Sequence, residues 1–483
     1  MKPVDAAWYH IDGPVNLALV TSVLLTKKPL DFEKAKAVYR QRLSRFDRFR
    51  QRVVETGFPL ATPHWEDMPD FAIDQQIHHV ALPSPQDGRA LTAMISELAS
   101  TPLDRERPLW QVHLVDGVAG GSAVIMRFHH CIGDGTAMMA VSRELFDTTP
   151  RIARRKTPAA AAPAVASGLA GRLFGSGLEA VEKSLRTALS TADAAIRMVK
   201  DPQEALDKAA VVLKGAGMLL SELQKKPDPD SPLKGDFGMS KRVAWSEPVA
   251  LADIKAIGTP SGAKINDVLV AGMTGALRAY LQERGVAVQG TTVRAMVPVD
   301  LRPPERALDL GNEFGLVVLD LAVRSKDPFV RLRLTKSRMD ALKRSPEAVA
   351  IMALFNLFGR IPKAVQDVAV DLFGSKASVV MTNVAGPKQT MYLAGVPVDR
   401  VVFWVPHPGT QLGMGISILS YNGYATLAVI ADARLVPDPE SITQGFNREF
   451  AGMLKTVQAG GAEGAAGAVR RRGAKPVRAT AKR

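Results

Sequence analysis

Arg127-Phe128-His129-His130-Cys131-Ile132-Gly133-Asp134-Gly135 is the stretch on which the fold turns. The run Ser122 to His130 alternates as a strand does, and side chains two residues apart on a strand share a face. Val124, Met126, Phe128 and His130 therefore point one way; Ala123, Ile125, Arg127 and His129 point the other. The row that ends in His130 is apolar, and desolvation there favours a neutral imidazole, which can take a proton. His129 shares its face with Arg127 and is the poorer base. Before the strand, Gly117 to Gly121 marks a hairpin turn; after it, Gly133 and Asp134-Gly135 are turn chemistry, and Thr136 to Phe146 reads as helix. Asp134 is better placed to brace that turn, through backbone N–H groups or an arginine, than to orient the imidazole.

Around this stretch the chain of 483 residues has length for two or three domains. Residues 1–150 combine strands (Asn16 to Leu25, Gln111 to Val115) with a helical pattern from Phe32 to Phe49. Residues 151–233 hold an Ala/Pro-rich linker, then apolar positions at helical spacing from Leu178 to Lys200 and a second helix from Gln203 to Gln224, a helical hairpin between two blocks. From 234 to 455 the α/β pattern returns. Strands are indicated at Arg242 to Trp245, Val293 to Val299, Leu316 to Val323, Ser378 to Thr382, Val401 to Val405 and Ala425 to Ala431, and helices at Asn266 to Arg284 and Asp327 to Lys343. Residues 456–483 form a basic tail. Two such blocks, with the densest motif near the end of the first, predict a site in the cleft between them.

Several chemistries drop out. The single cysteine, Cys131, allows neither an internal disulfide nor a multi-cysteine zinc site, and a Cys131 dyad fails because neighbouring strand side chains diverge. No metal site is expected. Gly-x-Ser-x-Gly, a Gly-Lys phosphate loop and Gly-x-Gly-x-x-Gly are all missing, which removes the best markers of α/β-hydrolases, nucleotide hydrolysis and hydride transfer. The longest apolar runs fall short of the roughly 18–20 residues that span a bilayer, and the amino terminus lacks a signal-peptide core. A cytoplasmic location is expected, with peripheral attachment to the inner membrane or lipid inclusions. Net charge is +14, and seven basic residues between Arg470 and Arg483, with no acidic ones, supply half of it. An anionic membrane or droplet surface is the favoured partner; without aromatics for base stacking, nucleic acid is disfavoured.

His129-His130 with Asp134-Gly135 resembles the HHxxxDG motif of CoA-dependent acyltransferases of the chloramphenicol-acetyltransferase-like fold. Pro108-Leu109-Trp110, Asn266-Asp267, Gly311-Asn312-Glu313-Phe314-Gly315 and Asn383-Val384-Ala385-Gly386-Pro387 extend the match, and the set is similar to the bacterial wax ester synthase/diacylglycerol acyltransferase family over residues 3–455. Ala385 departs from the proline usual there. The resemblance implies an α/β (α+β) fold of two mixed-sheet domains with flanking helices and an active-site tunnel at their interface. It also implies acyl-CoA as co-substrate, with no bound cofactor, and a fatty alcohol or diacylglycerol as acceptor. His130 would be the general base, Asp134 would hold the loop, and Pro108, Leu109 and Trp110 would shape the acyl pocket. Asn266 and Asp267 would support the site from the second domain, Asn266 being nominated as oxyanion donor; His129, Gly135, Asn312 and Phe314 complete the surroundings. Phe314 and Trp404 are candidate walls of a dry passage. Two alternatives remain: a carrier-protein-dependent acyltransferase or condensation-type domain, and a non-catalytic lipid-droplet-surface protein of the same fold.

Overall fold

The computed structural model describes residues 1–55, 62–68, 70–153, 226–303, 306, 309–343, 351–352, 370–371, 374–407 and 412–460. The expected helical hairpin and the basic segment 470–483 lie outside these residues. In the first block, chain order runs α1 (Pro3–Ile11), β1 (Leu19–Thr26), α2 (Phe32–Leu43), β2 (Gln51–Val54), β3 (His64–Asp67), β4 (Ile77–Ala81), α3 (Gly88–Ser100), β5 (Trp110–Val118), β6 (Gly121–His129) and α4 (Gly135–Leu145). The second block has β7 (Lys241–Trp245), β8 (Val249–Ala250), α5 (Leu251–Gly258), α6 (Ile265–Glu283), β9 (Val293–Asp300), β10 (Phe314–Leu321), α7 (Pro328–Leu342), β11 (Val379–Ala385), β12 (Tyr392–Leu393), β13 (Val396–Trp404), β14 (Met414–Tyr421), β15 (Tyr424–Asp432) and α8 (Pro439–Gln458). The expected helix from Phe32 to Phe49 is in fact α2 followed by a separate 3-10 turn, Asp47–Phe49.

Two large mixed sheets result. The first has the order β12-β13-β1-β6-β5-β4; the second has β10-β9-β11-β14-β15-β7, with β8 beside β15. The blocks are thus not separate sheets in sequence: β12 and β13, from the second block, complete the first sheet by antiparallel pairing of β13 with β1. Asp residues start three helices of the first block. Asp31, Asp87 and Asp134 are N-caps whose carboxylates accept from Lys34, Ala90 and Ala137 backbone N–H at 3.0, 2.9 and 3.0 Å.

The faces of β6 follow the alternation in the sequence. Val124, Met126 and Phe128 pack with Trp8, Tyr39 and Phe314, whereas Ala123 and Ile125 pack with Ile95 of α3 and with Val243 and Ile430 of the second sheet. That second cluster binds the sheets together, and α3 seals it: Ser96 and Ser100 accept the N–H groups of Val243 and Lys241 on the edge strand β7 at 3.1 and 2.8 Å. Trp404 belongs to this cluster. It faces Thr21, which in turn faces Arg127, so it lies on the side of the first sheet opposite the Phe128 row and is core rather than a wall beside His130. Helix α6 is apolar around most of its circumference and buried accordingly, with α7 and α8 against it.

Candidate active site

The strand stops one residue earlier than its sequence suggests. β6 ends at His129, and His130 opens a 3-10 turn, His130–Ile132, anchored by its N–H to Ala18 carbonyl at 2.8 Å. The ring nevertheless joins the apolar row. It stacks on the indole of Trp8, with centroids 4.0 Å apart and planes 15° apart, and meets the Phe314 ring at 5.9 Å. Nδ1 lies 2.9 Å from Asn312 Oδ1. Burial pushes the ring's pKa down to about 4, with His129 adding to the fall, while hydrogen bonds to the residue's own backbone and to Asn312 oppose it. The ring is neutral near neutral pH.

The turn after His130 is locked to the second block. Gly133 pairs with Gly311 as an isolated bridge, and a Cβ on Gly133 would sit 2.9 Å from the Ala137 Cβ and 3.3 Å from Gly311 N. Gly311 itself has φ +112, a region that favours glycine. Asp134 caps α4 with Oδ1, and its Oδ2 accepts from Arg302 at 2.8 Å and from Glu313 N–H at 2.9 Å. Arg302 also holds the Gly311 and Asp309 carbonyls at 2.7 and 3.0 Å. Burial pushes the Asp134 carboxyl up to about 6, although Arg302 and the N–H donors pull it down. Asp134 therefore braces the loop, its carboxylate bonded to Ala137, Arg302 and Glu313.

The other expected residues divide. Asn312 and Phe314 stand at His130. His129 reaches the residue that follows α1: its Nδ1 accepts from Cys131 N–H at 3.2 Å, and its Nε2 lies 3.7 Å from Asp12. Arg127 instead reaches the Thr101 carbonyl at 2.9 Å and Gln111 at 2.6 Å. Cys131 is buried, and burial drives its thiol well above the ordinary range. Leu109 accepts the N–H of His129 at 2.9 Å, and the Pro108 carbonyl accepts from Gln76. Trp110, wholly buried, donates Nε1 to Phe49 carbonyl at 3.0 Å, so these three residues support the strand end from within the core. Gly135 is the first residue of α4, where a Cβ would find ordinary contact with Val384. Asn266 and Asp267 open α6: Asp267 closes a capping box on Lys264 N–H at 2.8 Å, and Asn266 Oδ1 accepts from Asn383 Nδ2 at 2.6 Å. No hydrogen bond described here joins either residue to His130. Among the described residues, no group of three or more His, Cys, Asp or Glu is placed to hold a metal ion.

Three functional neighbours carried no sequence signal. Asp5 on α1, with no exposed surface, accepts from Asn312 N–H and Nδ2, both at 2.8 Å, and from Arg48 at 3.0 Å. Arg48 donates in addition to the Cys131 and Ile132 carbonyls at 3.0 and 2.9 Å. Arg302 is the arginine that the sequence could not single out among 62 basic residues.

A family model described as the wax ester synthase/diacylglycerol acyltransferase catalytic domain matches residues 1–269, and one for the WS/DGAT C-terminal domain matches residues 310–454. A Mycobacterium tuberculosis chain described as a probable diacylglycerol O-acyltransferase is 27% identical over 458 residues, covering 92% of this chain and 92% of its own length. Among solved structures, the wax ester synthase/diacylglycerol acyltransferase from Marinobacter aquaeolei superposes with a TM-score of 0.65 at 20% identity, covering 95% of this chain and 100% of that one. The first condensation domain of the calcium-dependent antibiotic synthetase gives 0.57 at 16% identity, over 94% of each chain. At these identities, the two structures speak to the fold alone.

Proposed function

The chain belongs to the wax ester synthase/diacylglycerol acyltransferase family, and we propose that His130 Nε2 takes the hydroxyl proton as a fatty alcohol or diacylglycerol attacks the thioester of a long-chain acyl-CoA. Acyl-CoA is the co-substrate of this acyl transfer. The C–O bond forms as the proton passes to Nε2. The tetrahedral intermediate then expels CoA as the C–S bond breaks, and the imidazolium returns the proton to sulfur, leaving ester, free CoA and a neutral ring. Such base catalysis contributes roughly 10²–10⁴-fold.

The observation that carries this reading is the setting of His130: a ring held neutral by burial between Trp8 and Phe314, with Nδ1 engaged by Asn312 and Nε2 left for substrate. The position of the ring between residues of both blocks fits a water-poor passage there, which the thioester needs. Asn266 stays the proposed oxyanion donor. Its Oδ1 accepts from Asn383, so Nδ2 is the end that can donate, and loss of such a donor costs about 2.7–4 kcal/mol. Asp134 with Gly135 would hold the loop, Pro108, Leu109 and Trp110 would shape the acyl pocket with His129 beside them, and Asp267 would support the site from the start of α6.

Attachment to an anionic membrane or lipid-inclusion surface through the basic residues of 470–483 belongs to the same proposal. Among the described residues no helix is long and apolar enough to cross a membrane. Deleting 470–483 should weaken pelleting with anionic liposomes in a salt-dependent way.

The test of the reaction is product analysis after one long acyl-CoA is supplied with hexadecanol and diacylglycerol together. Wax ester or triacylglycerol should appear with one free CoA per ester. No ester from acyl-CoA, with consumption of the same acyl group bound to a carrier protein, would replace this reading by a condensation-type one.

A further inference from the structure

We propose that Asp5 and Asn312 set the tautomer of His130, Asp5 acting as a positioning residue through the Asn312 amide. This rests on His130 being the base. An amide can turn either end towards a neighbour, so its direction must be read from its partners. One end of the Asn312 side chain faces Asp5 Oδ1 at 2.8 Å and the His130 carbonyl at 2.9 Å. Both partners are acceptors, so that end is the NH₂. The other end is the carbonyl oxygen, and it faces His130 Nδ1 at 2.9 Å. Nδ1 must carry the proton, and the lone pair is on Nε2.

Asp5 can only accept. Its Oδ1 takes both the N–H and the Nδ2 of Asn312, its Oδ2 takes Arg48, and it has no exposed surface on which to rearrange. It thereby fixes the amide, and the amide fixes the ring. A neutral amide between carboxylate and imidazole matters chemically. A carboxylate directly on Nδ1 would favour imidazolium and occupy the base with a proton before substrate arrives; the amide transmits the direction of the hydrogen bond while keeping the negative charge one residue away.

The test combines turnover with the ¹⁵N spectrum of the histidine rings in the full-length protein. Wild type should show His130 protonated on Nδ1 and bare on Nε2. Asp5→Asn, equal in size, lets the Asn312 amide reverse: the ring should move to the Nε2–H form and kcat should fall roughly 10²-fold or more, with KM nearly unchanged. Asn312→Leu, which removes the acceptor, should shift the ring the same way and serves if Asp5→Asn does not fold. A wild-type ring protonated on Nε2, or an Asp5→Asn protein with unchanged ring and turnover, would overturn the relay. Full turnover by His130→Ala, with the wild-type ring still protonated on Nδ1, would remove the base and leave the relay standing.

Discussion

His129 and His130 are adjacent, and each has a carboxylate behind it, Asp12 just past the end of α1 for the first and the buried Asp5 of α1 for the second, yet the two neighbourhoods are built differently. Asp12 approaches His129 directly, at 3.7 Å from Nε2. Burial raises the Asp12 carboxyl, but His129, the Ala18 N–H and Arg105 together hold it below the usual range. Its arginine is half-exposed and lies over the Tyr9 ring. Behind His130, the carboxylate is Asp5, and an amide stands between it and the ring. Beside His129, Asp12 is ion-paired with Arg105; behind His130, contact through an amide gives the ring a fixed direction. The first arrangement fastens α1 to the strand end, and the second suits a base.

That contrast can be broken at its arginines. Arg48→Met should cost about 3–5 kcal/mol of stability, since it leaves Asp5 buried without its cation, whereas Arg105→Met, removing a half-exposed partner, should cost under about 1 kcal/mol. Equal costs, measured by denaturant unfolding, would show that the two networks are equivalent. A smaller effect is expected at the turn: Gly133→Ala forces a methyl against Ala137 and Gly311 and should cost roughly 1–3 kcal/mol, with turnover falling alongside because the same turn carries His130.

pH sharpens the comparison further. Asp134 sits near 6 and His130 near 4, so on acidification the carboxyl protonates first and weakens the hold of Arg302 on the loop while the base is still neutral. The acid limb of kcat/KM should lie near pH 6, and Asp134→Asn should move it down towards 4. In stability the signs oppose each other. The raised Asp134 pKa favours the folded state on the acid side and is lost as pH rises through about 6, while the lowered His130 pKa favours it above the ordinary histidine range and is lost as pH falls towards 4. An acid limb unmoved in Asp134→Asn would contradict the assignment of that limb.

The local parts of this arrangement were readable in the sequence. Alternation over Ser122 to His130 placed Val124, Met126 and Phe128 on one face, and Gly133 with Asp134-Gly135 announced the turn and the cap of α4. Such signals depend on neighbours in the chain. The partners of the site do not: Asp5 is 307 residues from Asn312, and Asp134 is 168 from Arg302. Nothing within a few residues of Asp5 or Arg302 marks them, because their contacts are with residues distant in the chain, Asn312 for Asp5 and Asp134 for Arg302. The return of β13 to the first sheet was hidden for the same reason, and with it the side on which Trp404 lies. Asn312 and Phe314 were reached through the family motif, not through periodicity.

The most direct measurement is the turnover of purified, folded His130→Ala on a long-chain acyl-CoA and an alcohol, set beside His129→Gln. A fall of roughly 10²–10⁴-fold in kcat for His130→Ala, with His129→Gln close to wild type, is the predicted result. His130→Ala turning over at the wild-type rate would contradict the account.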